Sequence, residues 1–346
     1  MELESVRIAV VGTGAVGGSV SADLAEAGFD VTLIDQWPAH VETMRADGLT
    51  VNTLGAERTV AVRARHLCEV AELRQPFDIV LTGVKTYDTR WVAELMRPLL
   101  REDSVFVGLQ NGMTIDESAE LLGAERTIGC AMGIAANLPE PGYINREVTP
   151  AGTWFAIGTL DGARTARLEQ LAAVLAPAAT VEVTDDVRSA KWMKLIANIP
   201  EMLPSALLGV PLLEAATMPG IRPVMDAMSR EAYALALDLG IAIRPALGIA
   251  PEDVPDGDQY SLDLLDRVLS HFSQPGTKVA VLQDWEKGRR GELDAFSGYI
   301  VRKRAELGGR APVNEAVLRL AERLERGELS PSPENAPLLR DLLAAS

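Results

Sequence analysis

Apolar and polar positions in the first 35 residues resolve into a strand, a helix and a second strand. Residues 6–11, Val6-Arg7-Ile8-Ala9-Val10-Val11, are a short β-branched run that stops at glycines, the pattern of a strand buried on both faces of a parallel sheet. Residues 16–27 carry apolar side chains at helical spacing, and Gly28 stands where a C-terminal cap belongs. Val31-Thr32-Leu33-Ile34-Asp35 is the second strand and completes a βαβ unit.

Similar runs predict strands at residues 49–52, 59–63, 79–84, 104–109 and 126–132, with helical segments between several of them. Residues 143–148 and 153–158 flank Pro150-Ala151-Gly152 and predict an antiparallel hairpin at the far edge of the sheet. A helix at 164–175 and a strand at 181–183 follow. This is an α/β pattern, a Rossmann-type doubly wound parallel sheet. After Asp186 the strand signals stop, and residues 188–199, 222–239, 261–272, 291–307 and 314–325 predict an all-helical C-terminal domain.

The expected organisation is therefore a dinucleotide-binding domain over 1–187, a helical substrate and dimerisation domain over 188–326, and a loosely held tail over 327–346 rich in Pro, Ser and Glu. Residues 248–258 carry Glu252, Asp253, Asp256 and Asp258 around two prolines and predict an exposed loop. Residues 210–218 and 224–239 hold more apolar surface than one buried face needs, which points to a homodimer.

Charge narrows the partners. A formal net charge of -16 repels phosphate backbones and anionic membranes, so nucleic acid is not an expected partner. No stretch approaches the roughly 20 apolar residues of a membrane span, and Glu2 and Glu4 replace a basic leader, so the expected location is cytoplasmic. Cys68 and Cys130 match no CxxC spacing and are expected to be two buried thiols. His40, His66 and His271 lack metal-ligand spacing, so no metal is expected.

Gly12-Thr13-Gly14-Ala15-Val16-Gly17 is a GxGxxG at the junction of strand and helix. Gly12 permits the tight turn, Gly14 lets backbone approach a pyrophosphate, and Gly17 lets the helix pack on the strand. The helix N-terminus favours the phosphate charge. Asp35 ends the second strand where an acid accepts from the adenosine ribose hydroxyls; the alternative is a solvated turn residue. The next cation in sequence is Arg45, so NAD(H) is favoured over NADP(H).

Six lysines stand against 27 arginines, and only lysine releases a proton near neutral pH when its surroundings lower its pKa. Lys85 follows a strand; Lys191 and Lys194 open the first long helix of the second half. Lys194 and Asn198 lie at i and i+4 on one helix face. Such a pair suits reduction of a ketone, which needs a proton donor as charge develops on its oxygen. An ordinary amphipathic helix with its polar face outward gives the same spacing.

With Lys85 after its strand, Gln110-Asn111-Gly112-Met113 after the next, Leu282-Gln283-Asp284, and Gly291-Glu292-Leu293-Asp294, the chain resembles the ketopantoate reductase family from about Val6 to Leu324. The resemblance implies a nicotinamide-dependent oxidoreductase acting on a carbonyl or alcohol carbon. It implies Lys194 as general acid, Asn111 and Lys85 lining the nicotinamide side, Asn198 binding substrate, and Glu292 contacting cofactor ribose or positioning the lysine. For Asn111-Gly112 a plain turn, and for Glu292 a helix-start acid, remain alternatives.

The chain departs from that pattern where the family carries an asparagine and a serine that bind substrate: here Met202 and Ala280 occupy those positions. Pro200 and Pro204 are expected to interrupt the helix, and Glu201 adds a charge. An altered substrate, less polar or differently charged than ketopantoate, is expected. True 2-dehydropantoate 2-reductase activity, a β-hydroxyacid dehydrogenase and a non-catalytic NAD-binding protein are the alternatives.

Overall fold

A computed structural model describes residues 6–345; Glu2 and Glu4 lie outside it. The chain divides into two compact units, Met1–Lys191 and Trp192–Ser346.

The first unit contains twelve described strands: β1 (Arg7–Val11), β2 (Asp30–Asp35), β3 (Leu49–Thr53), β4 (Ala56–Val60), β5 (Arg63–His66), β6 (Phe77–Thr82), β7 (Leu100–Gly108), β8 (Thr127–Gly133), β9 (Ala136–Glu140), β10 (Tyr143–Arg146), β11 (Trp154–Thr159) and β12 (Thr180–Val183). Its helices are α1 (Ala15–Glu26), α2 (Pro38–Asp47), α3 (Thr89–Met96), α4 (Ile115–Leu122) and α5 (Ala166–Leu175). The main sheet runs β12-β11-β8-β7-β6-β1-β2-β5, parallel except where β11 meets β8. Alternate residues of its central strands feed separate cores. Ile8, Val10, Leu33, Ile79 and Leu81 pack on one face, whereas Ala9, Val11, Ile34, Val80 and Phe106 pack on the other. Burial on both faces explains why these strands read as unbroken apolar runs.

Four strands form a second sheet in the order β4-β3-β10-β9. Residues 49–52 therefore form a strand outside the main sheet, and residues 59–63 split: β4 pairs antiparallel with β3, and β5 pairs parallel with β2. The expected 143–158 hairpin is not formed. β10 pairs with β3 and β9, and β11 with β8 and β12. Pro150–Gly152 is a single 3-10 turn closed by the Thr149 hydroxyl, which accepts from Gly152 N–H. Buried Arg146 fixes β10 against α1: its guanidinium pairs with Asp23 and donates to Thr153 Oγ1 and Ala178 O, both at 2.7 Å. Such a charge is tolerable in the interior because it is both paired and hydrogen-bonded.

The helix α6 (Val187–Leu208) begins at the end of the first unit and continues into the second. It does not stop at Pro200 or Pro204 as expected, but runs through both. Proline removes one backbone donor at a time, and a helix this deeply buried holds its course through side-chain packing: Ile196, Ala197, Ile199, Leu203, Ala206 and Leu208 are inaccessible.

The second unit continues with α7 (Leu212–Thr217), α8 (Ile221–Asp238), α9 (Gln259–Arg267), α10 (Ala280–Glu286), α11 (Ser297–Glu306), α12 (Pro312–Glu325), α13 (Ala336–Arg340) and α14 (Leu342–Ala345). The expected 291–307 helix starts late, at Ser297, after a 3-10 turn over Leu293–Ala295. Gly291 is held outside the helix by its N–H, which donates to Glu325 Oε1 at 2.6 Å.

Residues 327–345 are not a loose tail. Asn335 Nδ2 donates to Leu207 O at 2.8 Å, Ser332 N–H donates to the same carbonyl, and Leu339 is fully buried. The apolar surplus of 224–239 is largely used inside the unit: Val224, Met225, Met228, Ala232, Leu235 and Ala236 are inaccessible, and Leu237 is exposed. No helix among the described residues is long and apolar enough to cross a membrane.

Candidate functional site

The glycine loop joins β1 to α1, and its three glycines have separable roles. Gly12 has φ of +83°, and a Cβ there would lie 2.6 Å from Val84 N. A Cβ on Gly17 would lie 2.1 Å from Gly12 O, so helix and loop touch only because no side chain intervenes. Gly14, at φ of -62°, differs: a Cβ there meets nothing within 4 Å. Room is left above Gly14, at the N-terminus of α1, where no side chain caps the helix and no acid lies in the first turn. That donor set fits a dinucleotide pyrophosphate. Ala15 and Val16 form the half-buried first turn beside it.

Thr13 is buried and gripped from both sides. Asp35 Oδ2 accepts from Thr13 N–H at 2.7 Å and from its hydroxyl at 3.1 Å, while Asp35 Oδ1 accepts from Trp37 N–H at 2.9 Å. Asp35 is thus no solvated turn residue; three of its roughly four acceptor positions serve the protein, leaving about one, on Oδ1, for a ribose hydroxyl. On the other side His40 Nδ1 accepts from Gly142 N–H at 2.9 Å, so Nε2 carries the proton and donates to Thr13 O at 2.9 Å. His40 therefore ties the loop to the turn between β9 and β10. Its sequence position gave no sign of this, because Gly142 is remote along the chain.

Gln110 was legible only as part of a motif, yet it organises the loops after β6 and β7. Its Nε2 donates to Val84 O at 2.9 Å, Lys85 O at 3.3 Å and Thr89 Oγ1 at 2.9 Å, and its Oε1 accepts from Thr114 at 3.2 Å. Lys85 and Asn111, each half-buried, are presented from the two loops it joins, and Gly112 takes φ of +72° to make the turn. Lys191 closes this arrangement from below: its buried ammonium donates to Gln110 O at 3.3 Å and Cys130 O at 3.1 Å. Burial lowers its pKa to about 8, and the same burial pushes the Cys130 thiol up to about 12. Cys130 is inert in that state, whereas Cys68, expected to be buried, is exposed on the 3-10 turn Leu67–Glu72.

In the second unit, Lys194, Asn198, Glu201 and Met202 lie within little more than two turns of α6. Asn198 is inaccessible and Met202 nearly so. Lys194 Nζ lies 3.9 Å from Glu201 Oε1, with side-chain exposures of 14% and 6%. Burial lowers the Lys194 pKa and Glu201 opposes the fall; burial raises that of Glu201 to about 7, and Lys194 opposes the rise. Sequence reading saw Glu201 only as an added charge, since seven-residue pairing depends on the helix continuing past Pro200. The simple outward polar face is excluded by this burial.

Ala280 is half-buried as the first residue of α10. Glu292 is buried just before the 3-10 turn, so it does not head a long helix as a macrodipole acid would. Among the described residues no cluster of His, Cys, Asp and Glu could hold a metal ion.

The model of a family described as ketopantoate reductase PanE/ApbA matches residues 8–160, and that of its C-terminal domain matches residues 186–325. A 2-dehydropantoate 2-reductase of Mesorhizobium japonicum is 30% identical, over 93% of this chain and 99% of its own. A PanE/ApbA family ketopantoate reductase structure from Ralstonia eutropha JMP134 superposes with a TM-score of 0.78 at 28% identity, covering 93% of this chain and 99% of the other. D-mandelate dehydrogenase with NADH and anilino(oxo)acetate shares the fold, with a TM-score of 0.81 at 19% identity over 93% of this chain and 99% of that one.

Proposed function

Because this chain belongs to the ketopantoate reductase family, and is thereby a nicotinamide-dependent oxidoreductase acting on a keto or hydroxy group, we propose that it reduces a small ketone other than ketopantoate, with Lys194 as proton donor. The carrying observation is the half-buried Lys194 on the same helix as the buried Asn198, Glu201 and Met202. When bound, the dinucleotide supplies or accepts the hydride.

The remaining work falls to side chains. Gly12, Gly14 and Gly17 shape the phosphate cradle, and Lys85 and Asn111 face the nicotinamide half. Lys194 gives its proton to the substrate oxygen as negative charge develops there; Asn198, inaccessible one turn further along the helix, is assigned to the substrate by the family pattern alone. Glu292 contacts cofactor ribose or orients the lysine.

The substrate side is less polar than the family pattern, with Met202 and Ala280 where asparagine and serine are usual. Glu201, once ionised, also opposes the field that Lys194 would otherwise offer a carboxylate. A neutral or weakly charged substrate follows, since lost hydrogen-bond partners change selectivity strongly. NAD(H) is the proposed cofactor: Arg45 is paired with Glu42 and Glu69, Arg65 with Glu69, and His66 with Glu42. The two arginines among these are thus already committed to carboxylates, which leaves a 2'-phosphate poorly served.

The test is oxidation of NADH and NADPH against a panel of ketones that includes ketopantoate. Lys194→Ala is expected to lower turnover by roughly 100-fold or more while cofactor binding persists. Ketopantoate reduction at a kcat/KM of about 10⁴ M⁻¹ s⁻¹ or more would overturn the altered substrate and favour plain 2-dehydropantoate 2-reductase activity, the name its relatives carry.

A further inference from the structure

Lys194 and Glu201 are two helical turns apart on α6, which brings both to one face. Their 3.9 Å separation exceeds hydrogen-bond length, so they act on one another through their charges. Among the described residues, each is the only charged group that shifts the other. The arrangement exists because α6 runs on through Pro200; had the helix ended there, Glu201 would have left this face.

A proton donor must hold its proton at working pH, and a buried lysine without a counter-charge tends to release it. A buried carboxylate without a cation is equally unfavourable. Each group supplies what the other lacks. We propose that Glu201 is the counter-charge that keeps Lys194 protonated and so makes it competent as a proton donor. Glu201 is a positioning residue in this role, acting through Lys194 and needing no contact with substrate. The catalytic half of the inference rests on Lys194 being the acid; the charge pairing does not.

The full-length protein, labelled with ¹³C only in lysine, gives a direct reading. The Lys194 Cε resonance is assigned by its loss in Lys194→Arg and followed across neutral and alkaline pH. In Glu201→Gln its titration midpoint is expected to fall by about one pH unit, a tenfold change in protonation. Glu201→Asp, which keeps a carboxylate at greater distance, should lie between; this variant also serves if Glu201→Gln does not fold. An unchanged or raised midpoint in a folded variant overturns the proposal. Because the measurement reads the lysine's proton and not turnover, it is separable from Lys194→Ala retaining activity, which would overturn the catalytic reading alone.

Discussion

Asp35 accepts from both the backbone N–H and the hydroxyl of Thr13, so the acid at the end of β2 is a brace under the glycine loop. A residue in this position is usually considered for contact with a ribose; the hydrogen bonds Asp35 makes in this structure hold Thr13 and Trp37.

Asp35→Ala is therefore expected to destabilise the protein by about 2 kcal/mol or more, through loss of charged hydrogen bonds at a buried site. It should weaken NADH and NADPH binding alike, each by tenfold or more. Denaturant unfolding and nicotinamide fluorescence titration check both halves. Tighter NADPH binding at unchanged stability would instead make Asp35 a direct reader of the ribose.

Gly14 and Gly17 should separate cofactor binding from folding. Gly17→Ala forces a Cβ to 2.1 Å from Gly12 O and is expected to cost about 3 kcal/mol. Gly14→Ala meets open space at an ordinary φ, so stability should hold while dinucleotide affinity drops. Equal unfolding midpoints for the two variants would refute the distinction.

Lys191 gives stability a pH dependence of definite sign. Its pKa is 10.5 in free lysine and about 8 when buried in this protein. Between those values the unfolded chain binds a proton that the native protein does not, so stability rises with pH through this window. Below it, the buried charge opposes folding by up to about 3 kcal/mol, at 1.36 kcal/mol per pH unit. In Lys191→Met this component of the rise should disappear from denaturant midpoints measured against pH. A rise identical to that of the parent protein would assign the titration elsewhere.

The sequence by itself determined the βαβ start, the glycine loop, the change from sheet to helices and the residues of the family pattern. These are local signals: a β-branched run buried on both faces, glycines at fixed offsets, helical spacing. It did not determine strand partners. β10 pairs with β3, and its buried Arg146 meets Asp23 on α1, both of them contacts between residues far apart along the chain. Nor could it show that α6 passes through Pro200, since a helix loses one donor at a proline but keeps the packing of its buried face. The acidic, proline-rich end read as a tail until Asn335 and Leu339 docked on the helical unit. The same holds for Thr13 between Asp35 and His40, and for Lys194 beside Glu201. Composition and spacing specify elements, whereas hydrogen-bond direction, burial and charge pairing depend on which distant side chains the tertiary structure brings within a few ångströms.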